Sequence, residues 1–209
     1  MVYPDQELIH RKMSDHQIPS ISTLATQICT QIATVFSSPP TPPPLTTLVS
    51  TLSSSQNGHI FLHGVGREGL MMKALCMRLA HLGLKAHCVF DMTTPPIGPH
   101  DLLIASAGPG GFPTVNAICR VARDNGARVV VLTARPERVE ETGLASVVVH
   151  VPARTMAEDE EEGSEPSLLP MGSLFEGALF VLFEMVVFVL AGVLGQTAKT
   201  VRARHTNLE

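Results

Sequence analysis

Residues 59–83 read HIFLHGVGREGLMMKALCMRLAHLG: a short apolar run, a turn with Gly64, Gly66 and Gly69 in G-x-G-x-x-G spacing, then a long stretch with apolar residues at helical intervals. A strand that passes through a glycine turn into a helix opens a βαβ unit, and its backbone N–H groups face the place where an anion would sit. The pattern then recurs. KAHCVFD (85–91), DLLIAS (101–106), ARVVVLT (127–133) and SVVVHV (146–151) read as strands, with helical patterns over TVNAICRVARDNG (114–126) and near 136–144. Short apolar runs alternating with helices imply parallel strands buried on both faces. Right-handed crossovers then give an α/β fold: a three-layer αβα sandwich around a five-stranded parallel sheet, doubly wound in the flavodoxin-like manner.

Outward from this core, PSISTLATQICTQIATVF (19–36) has helical spacing, and SSPPTPPPL (37–45) is an exposed Pro-rich linker within the domain, because prolines cannot continue a helix. A second helix then runs to about Ser55. Residues 1–18 read as a flexible tail and 19–209 as a single domain. AEDEEEGSE (157–165) is expected to be a solvated acidic loop between the sheet and the C-terminal helix. LFEGALFVLFEMVVFVLAGVL (174–194) is as long as a membrane span, but Glu176, Glu184 and the lack of a Lys/Arg bias at its flanks argue against a membrane. Such an apolar helix is expected in the core or a subunit interface, buried on more than one side.

With 209 residues, 44% of them hydrophobic, the chain can build one core of ordinary α/β size. A formal charge of −4 with scattered basic residues excludes a nucleic-acid footprint. The opening MVYPDQELIHRKMSD carries acids and a proline without an apolar segment, so a cytoplasmic location is expected. Cys29, Cys76, Cys88 and Cys119 lie far apart without a C-x-x-C pair, and they read as reduced, buried small hydrophobes, with no metal site.

The first glycine motif has two readings. Gly64, Gly66 and Gly69, with Asp91 closing the second strand, match a dinucleotide site; Arg67 and Glu68 crowd that turn and Asp91 comes late for the fingerprint. The other reading is that the glycines let helix and strand pack closely.

Taken together, HIFLHGVGREGLMMKALCMRLAHLG, TTPPIGPHDLLIAS, GARVVVLTARPE, PMGSLFEGALFVLFE and the terminal RHTNLE resemble the sugar isomerase (SIS) domain family, and within it the 6-phospho-3-hexuloisomerases, from about residue 20 to the end. The resemblance implies a homodimer or homotetramer, a small-molecule sugar substrate and aldose-ketose isomerisation through an enediol, with no metal or nucleotide cofactor. It implies Glu176, in PMGSLFE, as the catalytic base; His205, in RHTNLE, as the acid, supplied to a neighbouring subunit by the tail; and His81 as a further catalytic histidine. A carboxylate entering so apolar a helix should have its pKa raised toward a useful value. Without the resemblance, Glu176 reads equally as a cap of its helix, His81 as a cap of backbone carbonyls, and Arg67 as the partner of Glu68 in a surface ion pair. With it, Gly64, Gly66, Arg67 and Glu68 of the first loop and Ser106, Gly108, Gly110 and Thr114 of the second become substrate-binding candidates.

The second loop departs from the family. Where the family writes Ser-Gly-Ser-Gly-Glu-Thr, this chain has Ala107, Gly108, Pro109, Gly110, Gly111 and Phe112, so the phosphate-binding hydroxyls are gone and Pro109 removes one amide donor. Glu68 stands where the family commonly has serine and adds negative charge at the pocket mouth. Each hydrogen bond lost to a charged group is worth ~1.5 to 3 kcal/mol, so two or three losses weaken phosphate binding about a thousandfold or more. Ser106, Thr114 and the amides of the following helix are what remains to compensate, and Phe112 either stacks on a ligand or plugs the vacated space. Three readings follow: an isomerase acting on a sugar that need not carry phosphate, a former isomerase turned binding or regulatory protein, and a nucleotide-dependent oxidoreductase resting on the glycine motif and Asp91.

Overall fold

β1 (His59–His63) lies near the middle of one all-parallel sheet completed by β2 (Lys85–Cys88), β3 (Leu102–Ser106), β4 (Arg128–Thr133) and β5 (Val147–His150), in the order β2-β1-β3-β4-β5. The computed structural model describes residues 19–159 and 167–208; the expected tail and most of the acidic run lie outside them. The helices are α1 (Ile21–Thr34), α2 (Pro44–Ser54), α3 (Gly66–His81), α4 (Pro113–Asp124), α5 (Pro136–Thr142), α6 (Met156–Asp159), α7 (Ser173–Val193) and α8 (Ala198–Arg202).

Side chains on a strand alternate between faces, and the chain uses both. Ile60, Leu62, Ile104 and Leu132 point to one face, where Leu48 and Leu52 of α2, Leu75 and Leu79 of α3, and Leu179 and Leu182 of α7 bury them. Phe61, Leu103, Val129 and Val131 point to the other, covered by Val115 and Cys119 of α4 and Val139 of α5. The sheet is therefore doubly wound, with the αβα layers expected from the alternating pattern. β1 and β3 are direct neighbours, Leu62 beside Ile104, although β2 comes between them in sequence. That reversal of direction makes a crevice at the strand C-termini.

Several boundaries differ from the sequence reading. The Pro-rich linker ends two residues early, because Pro44 takes the first helical position of α2, where a missing N–H costs nothing. β2 stops at Cys88; the Asp91 amide bonds back to the Cys88 carbonyl in a turn and Phe90 has a φ of 78°, so Asp91 lies beyond the strand it was expected to close. Cys29 is exposed, whereas Cys76 and Cys119 are buried; burial lifts both thiols, Cys119 to about 11, which keeps them protonated and unreactive.

α7 is long and apolar enough to cross a bilayer by length and composition. Phe175, Leu179, Leu182, Val186 and Leu190 recur at helical spacing on its buried face. The expectation of burial on more than one side is not met within a single chain: Phe180, Phe188 and Val193 of the same helix are exposed.

Candidate active site at the β1/β3 crevice

The turn after β1 and the loop after β3 meet the start of α7 around a cleft of about 510 Å³. Gly66, Arg67 and Glu68 come from the first, Pro109 and Phe112 from the second, and Ser173, Phe175 and Glu176 from the third. The turn can pass so close to its own helix because Gly64 and Gly69 lack side chains; a Cβ on Gly69 would stand 2.6 Å from the Gly64 carbonyl oxygen. The packing reading of these glycines accounts for that contact.

Glu176 enters the cleft from the first turn of α7. Its carboxylate Oε2 lies 2.9 Å from Arg67 Nη2, and its side chain is only 16% exposed. Burial pushes its carboxyl above the ordinary value of 4.5, against the downward pull of the Arg67 charge and hydrogen bond. Arg67 also donates to Ser173 Oγ at 2.9 Å and to the Met171 carbonyl. The arginine thus pairs with Glu176 and not with its neighbour Glu68. Ser173 was not singled out in the sequence; its signal was its place inside PMGSLFE.

Glu68 does not stand at the pocket mouth as expected. Its side chain turns inward and is buried, with Oε2 accepting from Ser106 Oγ at 2.5 Å and both carboxylate oxygens accepting from the Gly108 amide, at 3.0 and 3.2 Å. Ser106 and Gly108 thus lie behind Glu68. Burial raises the Glu68 carboxyl, the Ser106 and Gly108 hydrogen bonds oppose that rise, and the nearby Glu176 charge adds to it. The glycine loop after β3 holds the protein's own carboxylate.

The remaining candidates separate. Gly66 lines the cleft; Gly64 lies beside a smaller hollow of about 290 Å³ with His63 and Asp91. Gly110, at φ 100°, packs under the Arg138 side chain, and Thr114 is exposed on the first turn of α4. His81 and His205 face each other with ring centroids 5.2 Å apart, in a groove at the far end of α3 lined also by Met77, Glu184 and Phe188. His81 lies fourteen residues beyond Arg67 along one helix, about 21 Å at 1.5 Å per residue, so one chain does not bring the histidines to Glu176. The His81 carbonyl accepts from Arg204 Nη1 at 3.0 Å, an arginine cap on the end of α3. Thr155 and Met156 line the cleft's other rim, and just beyond them Glu158, at the start of the acidic run, is held rather than solvated: burial pushes its carboxyl up, but the Thr155 hydroxyl and amide and Arg135 bind the carboxylate and bring its pKa below the ordinary value. Among the described residues, no group of three or more His, Cys, Asp or Glu side chains is arranged to hold a metal ion.

No protein-family model matches the chain. A 3-hexulose-6-phosphate isomerase of Mycobacterium gastri is 39% identical over 154 residues, spanning 74% of this chain and 75% of that protein. The protein of the same description from Bacillus subtilis is 36% identical over 159 residues, spanning 76% and 82%. A Methanococcus jannaschii protein, whose crystal structure was taken to infer a 3-hexulose-6-phosphate isomerase function, superposes with a TM-score of 0.72 at 24% identity, covering 88% of this chain and 98% of that one.

Proposed function

This chain belongs to the 3-hexulose-6-phosphate isomerase family of sugar isomerases, and on that premise we propose that it moves a carbonyl between neighbouring carbons of a hexulose through an enediol, with Glu176 as the base. The observation that carries this reading is the Glu176–Arg67 pair, 2.9 Å apart on the wall of an open cleft. A base for this chemistry must be ionised yet basic enough to take a proton from carbon, and partial burial beside one arginine sets those opposing pulls on Glu176. The carboxylate removes the proton from the carbon next to the carbonyl, charge develops on the carbonyl oxygen, and the same carboxylate returns the proton to the neighbouring carbon. Arg67 is the cation best situated to stabilise that oxygen.

Proton transfer on the sugar oxygens needs an acid, and His205, backed by His81, fills that role from a second copy of the chain. The support is the separation of the histidine groove from the cleft, together with the exposed Phe188 in the groove wall and the exposed Phe180 on the same side of α7, an apolar pair suited to self-association as a homodimer or homotetramer. A cytoplasmic setting belongs to the same reading.

Turnover of 3-hexulose, with and without a 6-phosphate, tests it. Glu176→Gln should lower kcat by about 10² to 10⁴, and mixing inactive Glu176→Gln with inactive His205→Ala protein should restore activity, because mixed assemblies recreate intact sites. Full activity of Glu176→Gln would refute the base; mixing without recovery, with both variants assembled, would refute the shared site.

A further inference from the structure

We infer that Glu68 is the specificity-determining residue of this cleft: its carboxylate is a resident anion in the oxyanion cradle between the β1 and β3 loops, and it selects sugars that carry a hydroxyl rather than a phosphate at that end. The inference rests on the isomerase reading for its substrate class and on the cradle's donors for its content.

On the β3 side of the cradle, the donors from Ser106 to Gly110 are in use. In the loop after β3, the Ala107 amide bonds to the Leu132 carbonyl, the Gly108 amide bonds to Glu68, Pro109 has no N–H, and the Gly110 amide bonds back to the Ala107 carbonyl. Behind the loop, Ser106 Oγ also goes to Glu68 at 2.5 Å, and Thr133 Oγ1 donates to the Gly108 carbonyl at 3.2 Å. An incoming phosphate therefore finds no unspent donor between Ala107 and Gly110. Space follows the same logic: a Cβ on Gly108 would lie 2.9 Å from Glu68 Oε1 and 3.0 Å from the Phe175 ring, so glycine keeps open a volume that the carboxylate fills.

The electrostatics also oppose a phosphate. Around the cleft Arg67 is paired with Glu176, Arg135 with Glu158, and Arg138 Nη1 donates to the Pro109 carbonyl. A dianion entering the cradle would displace a buried carboxylate that sits in the first turn of α3, where the helix end already favours negative charge. A sugar hydroxyl needs none of this, because it can donate to Glu68 and pass over Phe112. A site built around a fixed carboxylate discriminates by leaving the wrong ligand's charge unpaired.

The test compares wild type, Glu68→Ser and Glu68→Gln on 3-hexulose and its 6-phosphate, reading the ratio of kcat/KM for the phosphorylated over the unphosphorylated sugar, with inorganic phosphate as a binding probe in calorimetry. Wild type should favour the unphosphorylated sugar and give no heat with phosphate. Glu68→Ser frees the Ser106 hydroxyl and the Gly108 amide, and should raise the ratio roughly a hundredfold or more and gain phosphate binding. Glu68→Gln removes the charge while leaving the cradle filled, so it should shift the ratio less than Glu68→Ser. A wild-type preference for the phosphorylated sugar, or a Glu68→Ser ratio that stays level or falls, would overturn the inference while leaving the isomerase intact. If wild type turns over neither sugar, the isomerase reading fails alone, and calorimetry still decides: phosphate binding gained only on removing Glu68 supports the resident anion, and no gain overturns it. Should Glu68→Ser fail to fold, the wild-type preference and the Glu68→Gln shift decide between the same outcomes.

Discussion

At the N-terminal end of α7, Glu176 stands 2.9 Å from Arg67 with its side chain 16% exposed; two turns further along, Glu184 stands 3.6 Å from Arg78 with its side chain 47% exposed. The two glutamates share a helix, a charge and an arginine supplied by α3, yet burial raises the pKa of Glu176 while Glu184 sits on the surface stripe beside Phe188. Environment, not residue type, separates a candidate base from a solvated ion pair. The same contrast applies to the ends of the α3–α7 pair, one a cleft between loops and the other an apolar groove with two histidines.

The contrast can be broken first at Arg67. Arg67→Met removes the cation that holds the Glu176 carboxyl down, so burial acts unopposed and its pKa rises further. The acid limb of the pH–rate profile should then move to higher pH, and kcat/KM at neutral pH should fall about tenfold to a hundredfold; an unmoved limb would mean that the limb does not report Glu176. Next comes the groove. Phe188 is 82% exposed, so Phe188→Asp should scarcely change the stability of one chain, but it should weaken self-association by about tenfold or more in sedimentation velocity, with activity lost alongside.

Smaller effects should follow at Glu68 and Glu184. The folded pKa of Glu68 lies above its unfolded value of 4.5, so the unfolded chain releases that proton first as pH rises. Its stabilising contribution is complete below 4.5 and is lost as pH climbs through the raised folded value; in Glu68→Gln that slope of unfolding free energy against pH should disappear from denaturant titrations. Glu184→Gln should change stability by less than about 0.5 kcal/mol, as expected for an exposed pair.

The architecture was legible in the sequence because it depends on local periodicity: apolar runs around His59–His63 and Leu102–Ser106, glycine turns, and helices between them. The site was legible only where a motif marked it, as PMGSLFE marked Glu176. What the sequence hid depends on sheet order. Glu68 and Gly108 are 40 residues apart, and they meet because β1 and β3 pair side by side after β2 has gone to the edge. Next to Arg67 in the chain, Glu68 read as a surface partner; its real partners come from a loop that had lost its hydroxyls. α7 read as buried on more than one side because composition does not reveal which face of an apolar helix its own chain covers.

The isomerase reading of the cleft depends on Glu176 acting as a base on carbon. Incubating the protein with 3-hexulose in D2O and following deuterium entry at the carbon next to the carbonyl by NMR measures that step without depending on product release. Steady wash-in by wild type and its loss in Glu176→Gln are the expected result; no wash-in by wild type, or equal wash-in by both, would contradict the assignment of Glu176 as the base.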